Sequence, residues 1–121
     1  MAKILVVEDD SFLQGLEVGK LKKEGYDVIT ASTGKEALEK IKEDDIDLIL
    51  LDLVLPNFDG FEVLKEIREN EKTKKTPVLV FSNLSEEKDI KRAEDLKAND
   101  FMVKSNFTID ELAQKIKAML G

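Results

Sequence analysis

The chain has no cysteine and no histidine among its 121 residues. Without cysteine there is no disulfide, no thiolate metal site and no sulfur nucleophile. The missing histidine removes the commonest general base, the commonest metal ligand and any Ser-His-Asp triad. Positive charge is also scarce: 19 lysines and arginines against 26 acids leave a net charge of −7. A phosphate backbone demands a basic face, so direct nucleic-acid binding is not expected. No apolar run approaches the roughly 20 residues that cross a bilayer. The N-terminal "MAKILVVEDD" has neither the long apolar core nor the small-residue cleavage site of a signal peptide. A cytoplasmic protein with no membrane partner is the expectation. Any metal must sit on oxygen ligands, which points to a hard cation such as Mg2+.

What is present is regular. At 42% hydrophobic and 37% charged, the composition is that of a folded globular chain, and its length suits one domain, 1–121. Apolar runs of strand length alternate with stretches of helical period. Strands are expected at 3–7 (KILVV), 26–31, 46–52 (IDLILLD), 77–82 (PVLVFS) and 100–104 (DFMVK). Helices are expected at 11–25, 33–44, 61–70, 85–98 and 108–121. On the first, Phe12, Leu13, Leu16 and Leu21 are read as one apolar face, with Gly25 as the stop. Thr33 with Glu36 and Thr108 with Glu111 have capping-box spacing, and Ser85 is read as an N-cap. Strict alternation argues for an α/β fold, a (βα)5 flavodoxin-like three-layer sandwich with a parallel sheet. The runs 4–7, 48–51 and 78–81 are continuously apolar, as central strands buried on both faces require. The shorter second and fifth runs then take the edges, giving order 2-1-3-4-5, an order known for doubly wound sheets. The lysine-rich stretch 69–77 reads as a solvated loop.

Ligands of such sheets bind beyond the carboxyl ends of the strands. Strand one there ends in Glu8, Asp9 and Asp10, strand three in Asp52, strand four in Ser82 and Asn83, and strand five in Lys104. Two carboxylates about 4 Å apart repel by roughly 4 kcal/mol at an effective dielectric near 20. One lysine does not balance three acids, whereas Mg2+, which needs only one or two carboxylates, does. A carboxylate is already ionised at neutral pH and can attack without a base. Asp52 beside Mg2+ is therefore a candidate nucleophile toward phosphorus, with Ser82 as hydrogen-bond donor and Lys104 as counter-charge to the new group. Asp10 reads better as the cap of the helix opening at Ser11 than as a metal ligand.

At this point "KILVVEDD", "LILLDLVLPNFDGFEVL", "PVLVFSN" and "DFMVKSNF" resemble, in order and across the whole chain, the receiver domain of two-component response regulators. The resemblance implies that Asp52 accepts a phosphoryl group from a sensor histidine kinase or a phosphotransfer protein. It further implies that Asp9 binds Mg2+ directly, that Glu8 does so mostly through water, and that Val54 lends its backbone carbonyl. Ser82 and Phe101 would be the switch pair. The surface of the fourth helix, fifth strand and fifth helix (α4-β5-α5) would then contact a downstream protein. Two residues depart from the family pattern. Ser105 stands where receivers usually have a cis proline, and a cis bond before a non-proline residue costs about 2.5–4 kcal/mol, so a trans bond and an altered loop are expected. Asn83 replaces a usually small residue, either narrowing access to the phosphoryl group or hydrogen-bonding it.

Taken singly, Asp52, Ser82, Phe101 and Lys104 read as an ordinary strand-end acid, hydroxyl, core aromatic and surface lysine. Their convergence is what argues against that. One alternative is a pseudo-receiver, the same fold acting only as a protein-interaction module. Another, a flavin binder or small hydrolase, fits poorly because three acids after strand one would repel a phosphate. The chain reads as either a stand-alone receiver or an excised one.

Overall fold

The computed structural model describes residues 1–121. Five strands, β1 (Lys3–Val7), β2 (Asp27–Ala31), β3 (Leu48–Leu51), β4 (Val78–Ser82) and β5 (Asp100–Val103), form one sheet in the order β2-β1-β3-β4-β5. Every pairing in it is parallel. The strands alternate with helices α1 (Ser11–Lys23), α2 (Gly34–Glu43), α3 (Gly60–Glu69), α4 (Glu87–Asp95) and α5 (Ile109–Leu120). The expected (βα)5 fold and strand order are those observed.

Strand side chains alternate between faces, so each central strand feeds two cores. Leu5, Val7, Ile49, Leu51, Val78 and Val80 pack with α2, α3 and α4, through Ile41, Phe61, Leu64, Ile67 and Ala93 among others. Ile4, Val6, Leu48, Leu50, Leu79 and Phe81 pack with α1 and α5, through Leu21, Leu112 and Ile116. Each fully buried aliphatic side chain contributes about 1.5–3 kcal/mol. This two-sided burial holds the carboxyl ends of β1, β3 and β4 in fixed register.

Several local expectations change. β3 stops at Leu51, so Asp52 lies just past the strand, although its N–H still donates to the Val7 carbonyl at 3.0 Å. β5 likewise stops at Val103, and Lys104–Asn106 form a short 3-10 turn. The Lys104–Ser105 bond is trans, as expected, since the chain contains no cis peptide bond. A short antiparallel hairpin, Val54–Leu55 with Phe58–Asp59, joins β3 to α3 and was not expected; its two-residue strands are too short to show a period. Ser85 is not a cap. α4 begins at Glu87 after Glu86, with no side-chain cap bond, and ends at Asp95, because Lys97 adopts φ 71° and leaves the helix. Only half of the first capping box forms, Glu36 N–H to Thr33 Oγ1, whereas Thr108 and Glu111 form both bonds of theirs.

The loop at 69–77 is not simply solvated: Thr73 and Thr76 are buried. Arg68 draws it inward by donating to the carbonyls of Thr73 (3.1 Å), Lys74 (3.3 Å) and Thr76 (2.7 Å). The same guanidinium reaches the Lys97 carbonyl (2.9 Å) and Asn99 Oδ1 (2.9 Å), so it also fixes the turn after α4.

The largest difference is on α1. Leu21 is buried, but Phe12 and Leu16 are 76% and 45% exposed. A helix turns 100° per residue, so positions 13, 17 and 21 form one stripe and 12 and 16 the next. Asp10, whose side chain accepts from the N–H groups of Phe12 and Leu13, sets the phase and turns the first stripe inward. That stripe contains Glu17, which is 1% exposed and has no hydrogen-bond partner on either carboxyl oxygen. Burial first, and the charge of Glu8 second, push its carboxyl up to about 8 from 4.5.

A raised carboxyl pKa costs stability as pH rises. The cost is absent below the unfolded value near 4.5 and complete above about 8, at about 1.4 kcal/mol per unit between them. Glu17→Leu should therefore stabilise the fold by about 1–3 kcal/mol at pH 5, where only an unpaired neutral acid is removed. The gain should be several kcal/mol larger at pH 8.5. Urea unfolding at the two pH values tests this, and an equal gain at both would contradict it.

Candidate functional site

The sheet itself places the acids. The Glu8 N–H donates to Ala31 O (3.0 Å), extending the β1–β2 ladder by one residue, as Asp52 extends the β1–β3 ladder. Both side chains are nevertheless buried, Glu8 to 2% and Asp52 to 4% exposure. Lys104 resolves the conflict. Its Nζ lies 2.7 Å from Glu8 Oε1 and 2.7 Å from Asp52 Oδ2, and its side chain is only 11% exposed. The free oxygens are met by backbone: Glu8 Oε2 accepts from the Asp10 N–H (3.1 Å) and Asp52 Oδ1 from the Val54 N–H (3.0 Å). Gln14, reaching back from α1, donates to the Glu8 carbonyl (2.8 Å).

The electrostatics follow. Burial raises the Glu8 carboxyl above its ordinary value, opposed by the hydrogen bond from Lys104. Burial works against the charge on Lys104 as well, but its bonds to Asp52 and Glu8 outweigh it and raise its pKa. One carboxylate oxygen from each of Glu8, Asp9 and Asp52 lies within 4.8 Å of the others, with Asp9 exposed. Three hard oxygen donors around a cleft of about 210 Å³, with no histidine or cysteine in the chain, suit an ion such as Mg2+. The cleft is also lined by Asp10, Val54, Asn83 and Lys104.

The expected residues converge, with two qualifications. Ser82 is wholly buried and does not line the cleft; its Oγ accepts a 3.4 Å bond from the Leu84 N–H. Phe101 is half-buried on β5, away from the acids, packed against the α2–α4 side of the core. Asp10 is a helix cap, as expected.

Residues overlooked in the sequence are those acting through backbone. A Cβ on Gly60 would lie 2.3 Å from both Leu53 Cα and Leu53 O, so only glycine lets α3 start against the residue next to Asp52. Gly34 is similar, leaving room for the Phe58 ring, which a Cβ would approach to 2.6 Å. Asp59 caps α3 (Oδ1 to Phe61 N–H, 2.9 Å) and lies 3.6 Å from Arg92 of α4, whose guanidinium stands 4.1 Å over the Phe61 ring. Only the "DG" pair at 59–60 hinted at any of this.

Comparison with known proteins agrees with this geometry. The family model for the response regulator receiver domain matches residues 4–117. Response regulator ArlR of Staphylococcus saprophyticus is 42% identical over 120 residues, 99% of this chain and 53% of its own length. Chemotaxis protein CheY4 of Vibrio cholerae superposes with a TM-score of 0.91 at 30% identity, covering 98% of both chains. The receiver domain of sensor histidine kinase PA1611 from Pseudomonas aeruginosa, described with a magnesium ion coordinated in its active-site cleft, has a TM-score of 0.88 at 28% identity, covering 99% and 98% of the two chains. The chain belongs to the response regulator receiver domains of two-component signalling. It spans about half the length of the relatives it matches by sequence. No helix is long and apolar enough to cross a membrane.

Gly60→Ala should displace the Leu53 backbone and cost at least about 1–3 kcal/mol. Thermal unfolding gives the cost. Amide shifts at Leu53 and Asp52 should change more than those of β2, and an unperturbed Asp52 amide would count against the packing argument.

Proposed function

We propose that this receiver accepts a phosphoryl group on Asp52 from the phosphohistidine of a sensor histidine kinase or phosphotransfer protein. Glu8, Asp9 and Asp52, with the Val54 carbonyl, would hold the Mg2+ that receivers use. The observation that supports this best is the bridge from Lys104 to two buried acids, with Asp9 beside them. Mg2+ bound there would neutralise charge on the phosphoryl oxygens.

The remaining chemistry belongs to the chain. A carboxylate oxygen of Asp52 forms a bond to phosphorus while the P–N bond to the imidazole breaks, its electron pair leaving with the ring. The Val54 N–H and Lys104 hold the two oxygens of Asp52 and fix its direction of attack. Lys104 then shares its charge with the new phosphoryl group, an exchange of one anion for another that needs no movement of the strand. Asn83, exposed at the edge of the cleft, lies where the group enters and sets access to it.

Switching requires the Ser82 hydroxyl to leave the Leu84 N–H and face the phosphoryl group. Phe101 has room to turn. It lines both a 220 Å³ cavity under α4, with Ile90 and Ala93, and a 400 Å³ groove beside α5, with Phe107 and Lys115. The α4-β5-α5 surface is thus the part able to change for a downstream protein. Cytoplasmic location and the absence of direct nucleic-acid contact belong to this same reading.

With a small phosphodonor and Mg2+, the intact mass should rise by one phosphoryl group. Asp52→Ala or removal of Mg2+ should abolish the gain. A chain that folds and binds Mg2+ but never gains mass would instead be a pseudo-receiver.

Arg92→Ala should remove the contacts holding α4 to Asp59 and Phe61. An exposed cation–π contact is worth about 0.5–1 kcal/mol, so amides of residues 87–95 should exchange roughly 2–5 times faster. Hydrogen exchange read by mass spectrometry tests this; unchanged α4 rates would show that these contacts do not restrain it.

A further inference from the structure

Glu17 is a buried ionisable residue for which the proposed chemistry has no use. It lies between Leu13 and Leu21 on the inward stripe of α1, 1% exposed, with both carboxyl oxygens unpartnered. The charged groups acting on it belong to the rim: Glu8 after β1, Lys104 after β5, Asp52 after β3 and Asp10 capping α1. The elements packed on α1 add no other. Asp27 of β2 is exposed. On α5, Asp110 pairs with Lys20, Glu111 is bound to Thr108, Lys115 pairs with Asp100 and Lys117 is exposed, leaving Leu112 and Ile116 in the core facing α1.

Burial without a partner is the largest cause holding Glu17 neutral, and the balance of charge at the rim adds to it. The groups acting on Glu17 are Glu8, Asp52 and Asp10, three negative charges, against Lys104, one positive, a net of −2 opposing a further anion. A divalent cation at the rim brings this sum to zero.

Resting on the metal-site reading above, we propose that Glu17 is a proton-linked partner of the pocket. It is a neutral carboxylic acid while Lys104 alone balances the rim, and it releases its proton to solvent when a divalent cation binds Glu8, Asp9 and Asp52. Mg2+ entry favours loss of that proton. Burial, its largest cause, and the rim acids set the Glu17 carboxyl at about 8, so the exchange falls near neutral pH. Mg2+ affinity then climbs between pH 7 and 8 more steeply than the rim acids alone would make it.

Calorimetric titration of MgCl2 into the full chain at pH 7.5, in two buffers of different ionisation enthalpy, counts the protons released. Glu8 contributes equally in the wild type and in Glu17→Gln, so the difference reports on Glu17. If Mg2+ moves the acid by about one unit, Glu17→Gln should release about half a proton fewer than wild type. Glu17→Leu should show the same deficit. Carboxyl 13C NMR of the wild type supplies a readout that needs no variant: the Glu17 resonance should move toward its ionised position on adding Mg2+. Equal proton release in wild type and variant, or an unmoved Glu17 resonance in a chain that binds Mg2+, overturns the inference. Absence of any Mg2+ binding overturns the metal-site reading and this inference with it.

Discussion

Two carboxylates buried side by side, answered by one ammonium group, are the constraint around which the rest of this molecule is arranged. Glu8 and Asp52 are held at the sheet rim by backbone bonds to Ala31 and Val7, so neither can retreat into solvent. Their repulsion is tolerable because Lys104 sits 2.7 Å from each. A buried ion pair of this kind is weak evidence for stability, since desolvation offsets much of the attraction. Its value is that it is unfinished. Three acids against one lysine leave an excess of negative charge in an open cleft, which a divalent cation would offset on the proposed reading.

Delivering those groups explains features that otherwise look unrelated. The central strands are apolar on both faces because their ends must not shift; a one-residue slip of β3 would turn Asp52 to the opposite face. The chain must then reverse at once, so that α3 can cover the core without closing the cleft. Hence the short hairpin, the cap at Asp59, and a Gly60 with no space for a methyl group.

What could be read in advance follows the range of the physics involved. Strand order, the two edges and the convergence of Glu8, Asp9, Asp52 and Lys104 come from apolar run length and strand-end polarity, which local sequence displays directly. The phase of α1 does not. Phe12 and Leu16 looked as suitable for burial as Leu13, and the choice was made by the Asp10 cap and the path from β1. Ser85 was a plausible cap by type, but α4 starts two residues later, at Glu87 after Glu86. Gly60 and Arg68 act on backbone atoms far along the chain or across a turn, and no period reports such contacts. Ser105 allowed a sound deduction, because the cost of a cis bond is intrinsic to residue type.

The two ends of α4 are anchored unequally, and this bears on how a small event at the rim can be transmitted. At the far end, Arg68 binds the Lys97 carbonyl and Asn99, while Asn99 Oδ1 also accepts from the Val78 N–H, tying the turn to both α3 and β4. At the rim end no side chain caps the helix; Arg92, which touches Phe61 and Asp59 from an exposed position, belongs to its last turn. Several hydrogen bonds to one half-buried guanidinium outweigh a solvated ion pair and a single cation–π contact, so Arg68 holds this end more firmly than Arg92 does. The start of α4 is therefore its less restrained end. On the proposed reading, a change at Ser82 would reach this uncapped start of α4 before the end tied down through Lys97 and Asn99.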